Sequence, residues 1–61
     1  MTQKDYRAFA AEFSFQRKEG GRFAKLTSAE YLVVCKTCGE IFARDNARLD
    51  LDRFLRACNA V

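Results

Sequence analysis

The chain has no histidine and no proline, and only three glycines and three cysteines among its 61 residues. Without histidine there is no ordinary general base to activate Ser14, Ser28 or a cysteine, and so short a chain can hardly enclose a pocket. No catalytic residue is assigned, and an enzyme is not expected. No apolar run approaches the roughly 18 residues that span a bilayer. The N-terminus, Met1-Thr2-Gln3-Lys4-Asp5, also lacks the apolar stretch of a secretion signal. The expected location is therefore the cytoplasm, with no membrane partner. An odd number of cysteines without such a signal argues for reduced thiols over a disulfide scaffold. Repeats and low-complexity tracts are missing too, and Gly20-Gly21 is the one clear break.

What is present fits one helical domain over residues 1–61. The composition, 49% hydrophobic and 31% charged, is ordinary for a compact helical chain and unlike a disordered one. Chains of this length bury only about 60% of the surface that unfolding exposes, so a partner or a second copy would help the core. The net charge of +3 is unevenly placed. Residues 16–25 hold Arg17, Lys18, Arg22 and Lys25 against Glu19 alone, while the other basic and acidic residues cancel.

Three helix starts carry their own chemistry. Thr2 with Asp5, Thr27 with Glu30, and Asp50 each place an oxygen acceptor at an N-cap, where it satisfies an amide without an intrahelical partner. The first two are capping boxes. Each cap is also framed by an apolar pair of the hydrophobic-staple type: Met1 with Tyr6, Leu26 with Tyr31, Leu49 with Phe54. Tyr6, Phe9, Ala10 and Phe13 recur at i, i+3, i+4 and i+7, as do Leu51, Phe54, Leu55 and Cys58, so both flanking helices should bury one stripe. On the middle segment, residues 28–45, one side gathers Tyr31, Leu32, Cys35, Cys38, Gly39 and Phe42, and the other Lys36, Glu40 and Arg44. Asp45-Asn46-Ala47-Arg48 reads as the turn into the last helix. The expected fold is all-α: helix, basic connector, long helix, tight turn, short C-terminal helix.

Cys35-Lys36-Thr37-Cys38-Gly39 admits a second reading, half of a zinc knuckle behind a strand at residues 31–34. A glycine inside a helix costs about 1 kcal/mol relative to alanine, whereas a knuckle wants one after its thiolates. Ligand counting opposes this, because only Cys58 remains beyond Cys35 and Cys38 and there is no histidine. Cysteines as small core hydrophobes are the preferred reading, with no metal or other cofactor. Asp50 and Asp52, which could be imagined as paired carboxylates, are explained by capping and the helix dipole.

Two kinds of partner fit the remaining features. Arg17, Lys18, Arg22, Phe23 and Lys25 mix basic side chains with an aromatic, a pattern that can hold phosphates while Phe23 stacks on a base. Alternatively this stretch is a solvated connector with Phe23 in the core. Protein binding is suggested by apolar residues the core does not need, Phe15 and Val33, with Val34 and Ile41 at its margin. Arg48, Arg53 and Arg56 would supply a rim around Phe54, since arginine and aromatics are enriched at binding hot spots. A solvated face balanced by Asp45, Asp50 and Asp52 is the competing interpretation.

The two ends of the chain resemble many small uncharacterised proteins of bacteriophages, prophages and plasmids. Those typically begin Met-Thr-x-Lys-Asp-(Tyr/Phe) and end in Asn-Pro-x-Phe-Asp-x-x-Arg-Phe-x-x-Ala-Cys. Met1-Thr2-Gln3-Lys4-Asp5-Tyr6 matches the start, and Asn46, Asp50, Arg53, Phe54, Ala57 and Cys58 match the ending. Ala47 replaces the proline and Leu49 the phenylalanine, which leaves turn and staple intact but the turn less rigid. The resemblance covers about 25 residues and implies a helical fold and a mobile-element origin; it carries over no functional residue. The function expected on both grounds is non-enzymatic binding of a host or phage protein in the bacterial cytoplasm. An anti-defence role like that of an anti-CRISPR inhibitor is included in that expectation. A small nucleic-acid-binding module is the alternative, the zinc knuckle a lesser one, and homodimerisation stays open.

Overall fold

A computed structural model describes residues 2–61. It contains three helices, α1 (Gln3–Arg17), α2 (Ser28–Asp45) and α3 (Leu51–Ala57), and no strand among the described residues. The molecule measures 32 × 19 × 14 Å. The short α3 lies against both α1 and α2, while α1 and α2 meet over a smaller area.

Each helix begins where its cap chemistry placed it. The Asp5 carboxylate accepts from the Thr2 N–H at 3.0 Å and from the Thr2 hydroxyl at 3.2 Å. At α2 the box is reciprocal: Thr27 N–H donates to Glu30 Oε1 at 2.8 Å and Glu30 N–H to Thr27 Oγ1 at 3.1 Å. Asp50 Oδ1 accepts from Arg53 N–H and starts α3. Leu26 and Leu49 are half-buried against the cluster that holds Tyr31 and Phe54, as their staples require. The third staple involves Met1, which lies outside the described residues.

The core consists of Tyr6, Ala10, Tyr31, Cys35, Phe54, Leu55 and Cys58. A ring of half-buried apolar residues, Phe13, Phe23, Leu32 and Phe42 among them, packs around it. Residues 28–45 form one unbroken helix with Tyr31, Cys35 and Gly39 buried and Lys36, Glu40 and Arg44 exposed. The strand-and-knuckle alternative for residues 31–39 therefore does not form. Gly39 sits under α3 instead: a Cβ there would stand 2.3 Å from Leu51 Cδ1 and 3.2 Å from Phe54 Cδ2, so α3 packs directly on its bare backbone and any side chain must first displace the Leu51 terminus.

Phe9 departs from the expected stripe. It is 42% exposed and packs its ring beside Phe42, centroids 5.0 Å apart. Phe42 also meets Tyr6 at 5.2 Å and Phe54 edge-on at 5.6 Å, so it fills the seam that Phe9 would otherwise close.

The connector is ordered by α1's last turn. Gln16 accepts Phe23 N–H on its carbonyl and Arg22 N–H on its side chain, both at 2.9 Å. Gly21 packs so close to the Gln16 carbonyl that a Cβ would stand 2.2 Å from its oxygen. Gly20, at φ +84°, supplies the left-handed step beside it. At the far end, Asn59 takes φ +61°, and Ala60 N–H returns to Leu55 O while Asn59 N–H bonds Arg56 O. That is a Schellman closure with asparagine in the left-handed position. The Asn59 side-chain amide then donates to Ser14 Oγ on α1, tying the end of α3 to the first helix.

Candidate functional site

A shallow concavity of about 670 Å³ lies along the basic connector between Arg17 and Lys25. A more enclosed one, of about 370 Å³, lies between α1, the α2–α3 connector and α3. Such a volume sits at the small end of the range for binding pockets, roughly 300–1,000 Å³. Its existence follows from the turn. Asn46 ends α2 with its N–H on Phe42 O, its side-chain oxygen accepts from Arg48 N–H at 3.0 Å, and Leu49 N–H returns to Asn46 O. This Asx-turn swings residues 46–50 out beside the first two turns of α1 and leaves a gap between them.

The apolar floor comes from Tyr6, Leu49 and Phe54, and the polar edge from Arg7, Arg48 and Arg53. All three arginines are exposed. The one carboxylate in the wall, Asp50, is engaged in capping α3. The hydroxyl of Tyr6 is buried and has no hydrogen-bond partner among the described residues. The cleft can therefore attract and orient an anion beside an apolar group. It offers no nucleophile paired with a base.

The expected protein-contact residues fall into two sets. Arg48 and Arg53 line the cleft, joined by Arg7. Phe15 and Val33, each 62% exposed, and the exposed Arg56 lie outside its lining, and Ile41 is 52% exposed. Arg7 was not singled out by sequence. The available signal was that its neighbours three and four positions away are Gln3, Lys4, Ala10 and Ala11, so no carboxylate can neutralise it along the helix.

The basic connector separates into an inward and an outward part. Arg17 reaches back with its guanidinium to Phe23 O at 3.0 Å and Ala24 O at 3.3 Å, and covers the Tyr31 ring at 5.1 Å. Phe23 packs edge-on to Phe13 at 5.5 Å and beside Tyr31 at 5.9 Å. Lys18, Arg22 and Lys25 remain exposed.

The thiols are turned inward. Cys35 and Cys58 are fully buried and Cys38 is half-buried. Burial first, and then the neighbouring Cys35, push the Cys58 thiol from the ordinary value near 9 up to about 12. The same two causes, in that order, raise Cys38. Burial also raises the Tyr31 phenol, followed by its hydrogen bond with Cys35, with Arg17 opposing. Tyr31 donates to the carbonyl of Cys58, the C-cap of α3, and so satisfies a carbonyl the helix end leaves open. Among the described residues no group of three or more histidine, cysteine, aspartate or glutamate side chains could hold a metal ion. No helix of the described residues is long and apolar enough to cross a membrane.

Comparison with protein-family models, with curated proteins and with solved structures gives no match.

Proposed function

We propose that the protein is a non-enzymatic accessory protein of a bacteriophage or other mobile element, acting in the bacterial cytoplasm by binding a host or phage protein. Inhibition of a host defence system, in the manner of an anti-CRISPR protein, is the use this reading favours. The observation that carries it is the set of large apolar side chains left outside a core that closes without them. Phe9, Phe15, Val33 and Ile41 are all more than two-fifths exposed on the outer surfaces of α1 and α2. Exposed apolar side chains and arginines are both enriched at protein-binding surfaces. The matching chain ends support the mobile-element origin. The absence of histidine and the protonated, buried state of Cys58 both argue against catalysis.

Nucleic-acid binding through residues 16–25 is the second reading, resting on the exposed Lys18, Arg22 and Lys25. It is the weaker of the two because Arg17 and Phe23, its best phosphate and base contacts, are engaged in holding the connector to the core.

The test is affinity capture from host lysate with and without nuclease, at low and high salt, followed by reconstitution with the purified partner. A near-stoichiometric protein that survives nuclease and salt, and rebinds when pure, is expected. Recovery of nucleic acid alone, released as salt rises, would overturn the proposal.

A further inference from the structure

We propose that the cleft ringed by Arg7, Arg48 and Arg53 over Tyr6, Leu49 and Phe54 docks a segment of the partner protein in which a carboxylate side chain stands next to an apolar one. This rests on the protein-binding reading above and names the chemistry of the partner.

Charge complementarity carries the first half. Three guanidiniums from three different elements, α1, the connector and α3, border one concavity. The only acid in its wall is Asp50, already committed to the Arg53 N–H. Three guanidiniums against one carboxylate leave the lining with a net positive charge, so the site gains when an anion arrives. The planar fork of arginine matches a carboxylate with two parallel hydrogen bonds. The floor carries the second half. Tyr6 and Phe54 are buried beneath the cleft, while Leu49 is half-buried and Ala57 exposed along it, so apolar surface remains there for a small apolar side chain to cover.

The occupant is a protein segment and not a free small acid. Pockets for small ligands bury most of the ligand. Here the three charged side chains are themselves exposed and stand at the rim, which suits a segment delivered by a larger surface. A phosphate would use the arginines but leave the apolar floor uncovered.

The probe is a fluorescent hexapeptide alternating glutamate and leucine, titrated by polarisation into the intact protein. Its glutamine–leucine counterpart, inorganic phosphate and butyrate serve as competitors. Saturable binding is expected, at least ten-fold weaker for the glutamine version, and displaced by neither phosphate nor butyrate at millimolar concentration. Arg7→Gln, Arg48→Gln and Arg53→Gln should each weaken it about ten-fold with an unchanged melting curve. Replacing all three arginines by lysine should weaken it as well, because the charge stays but the fork is lost. Equal binding of both peptides, full retention in the lysine variant, or displacement by phosphate or butyrate would overturn the assignment. The captured partner separates this from the broader reading. If it binds the triple glutamine variant as tightly as the wild type, the cleft proposal fails while protein binding stands. If no protein partner is captured at all, the broader reading fails.

Discussion

The two buried tyrosines should respond in opposite ways to losing their hydroxyl. Tyr31 is 1% exposed and donates to the Cys58 carbonyl, the open end of α3. Tyr31→Phe removes the donor and leaves that carbonyl unpaired in a dry interior, which costs about 1–3 kcal/mol. For a domain of about 60 residues each kcal/mol moves the melting point by roughly 4–8 °C, so a drop of roughly 4–24 °C is expected. Tyr6 is 3% exposed, but its hydroxyl is unpartnered among the described residues. Tyr6→Phe therefore removes a buried polar atom that gains nothing from the fold, and stability should be unchanged or higher by up to about 1 kcal/mol. Helical circular dichroism followed through thermal and urea unfolding at neutral pH reads both variants, with similar urea slopes showing that the unfolded state has not changed. Equal losses in the two variants, or an unaffected Tyr31→Phe, would refute the hydrogen-bond assignment on which the seating of α3 depends.

Raising the pH should destabilise the protein above about pH 9. Cys58, Cys38 and Tyr31 all hold their protons more tightly in the fold than in the unfolded chain. Their contribution is intact below the unfolded values and falls away as pH climbs towards the folded ones, with Cys58 contributing between about 9 and about 12. Urea titrations across that range should show the decline, and Cys58→Ala should flatten it; a flat profile in the wild type would contradict the burial of the thiol. A thiol reagent at neutral pH should modify Cys38 slowly and Cys35 and Cys58 only on unfolding, read by mass spectrometry of labelled peptides; rapid labelling of all three would be inconsistent with the core described. Gly21→Ala should destabilise more than Gly20→Ala, because its Cβ meets the Gln16 backbone, whereas Gly20 has open space and only a left-handed φ that costs about 1 kcal/mol. Gly39→Ala should be nearly neutral, since the Leu51 terminus can swing and alanine gains about 1 kcal/mol in helix propensity, but Gly39→Leu should lift α3 away and cost several times more, both read by thermal melts.

The features legible in the sequence were the local ones. The bounds of α2 at 28 and 45 follow from the Thr27–Glu30 box and a buried stripe set against Lys36, Glu40 and Arg44. Asp50 and Asn46 act within four residues of themselves, so their roles as cap and turn were readable too. What the sequence could not reveal depends on elements far apart in the chain. Arg17 reads as a phosphate ligand until Phe23, Ala24 and Tyr31 are placed around it. Gly39 falls on the buried stripe by spacing, but the reason for a glycine there shows only when α3 is laid across it. Phe9 belongs to the right stripe by spacing, yet Phe42 occupies the seam. The cleft was half legible: Arg48 and Arg53 stand out beside Phe54, but Arg7 joins them only when α1 is brought against the connector.

A hydrogen-exchange footprint of the captured partner on the intact protein bears most directly on the claim that this chain works by binding another protein. Protection is predicted over the outer face of α1 around Phe9 and Phe15 and over residues 46–53 at the cleft, persisting at high salt, with Lys18–Lys25 unchanged. Protection confined to Lys18–Lys25 and abolished by salt would contradict it.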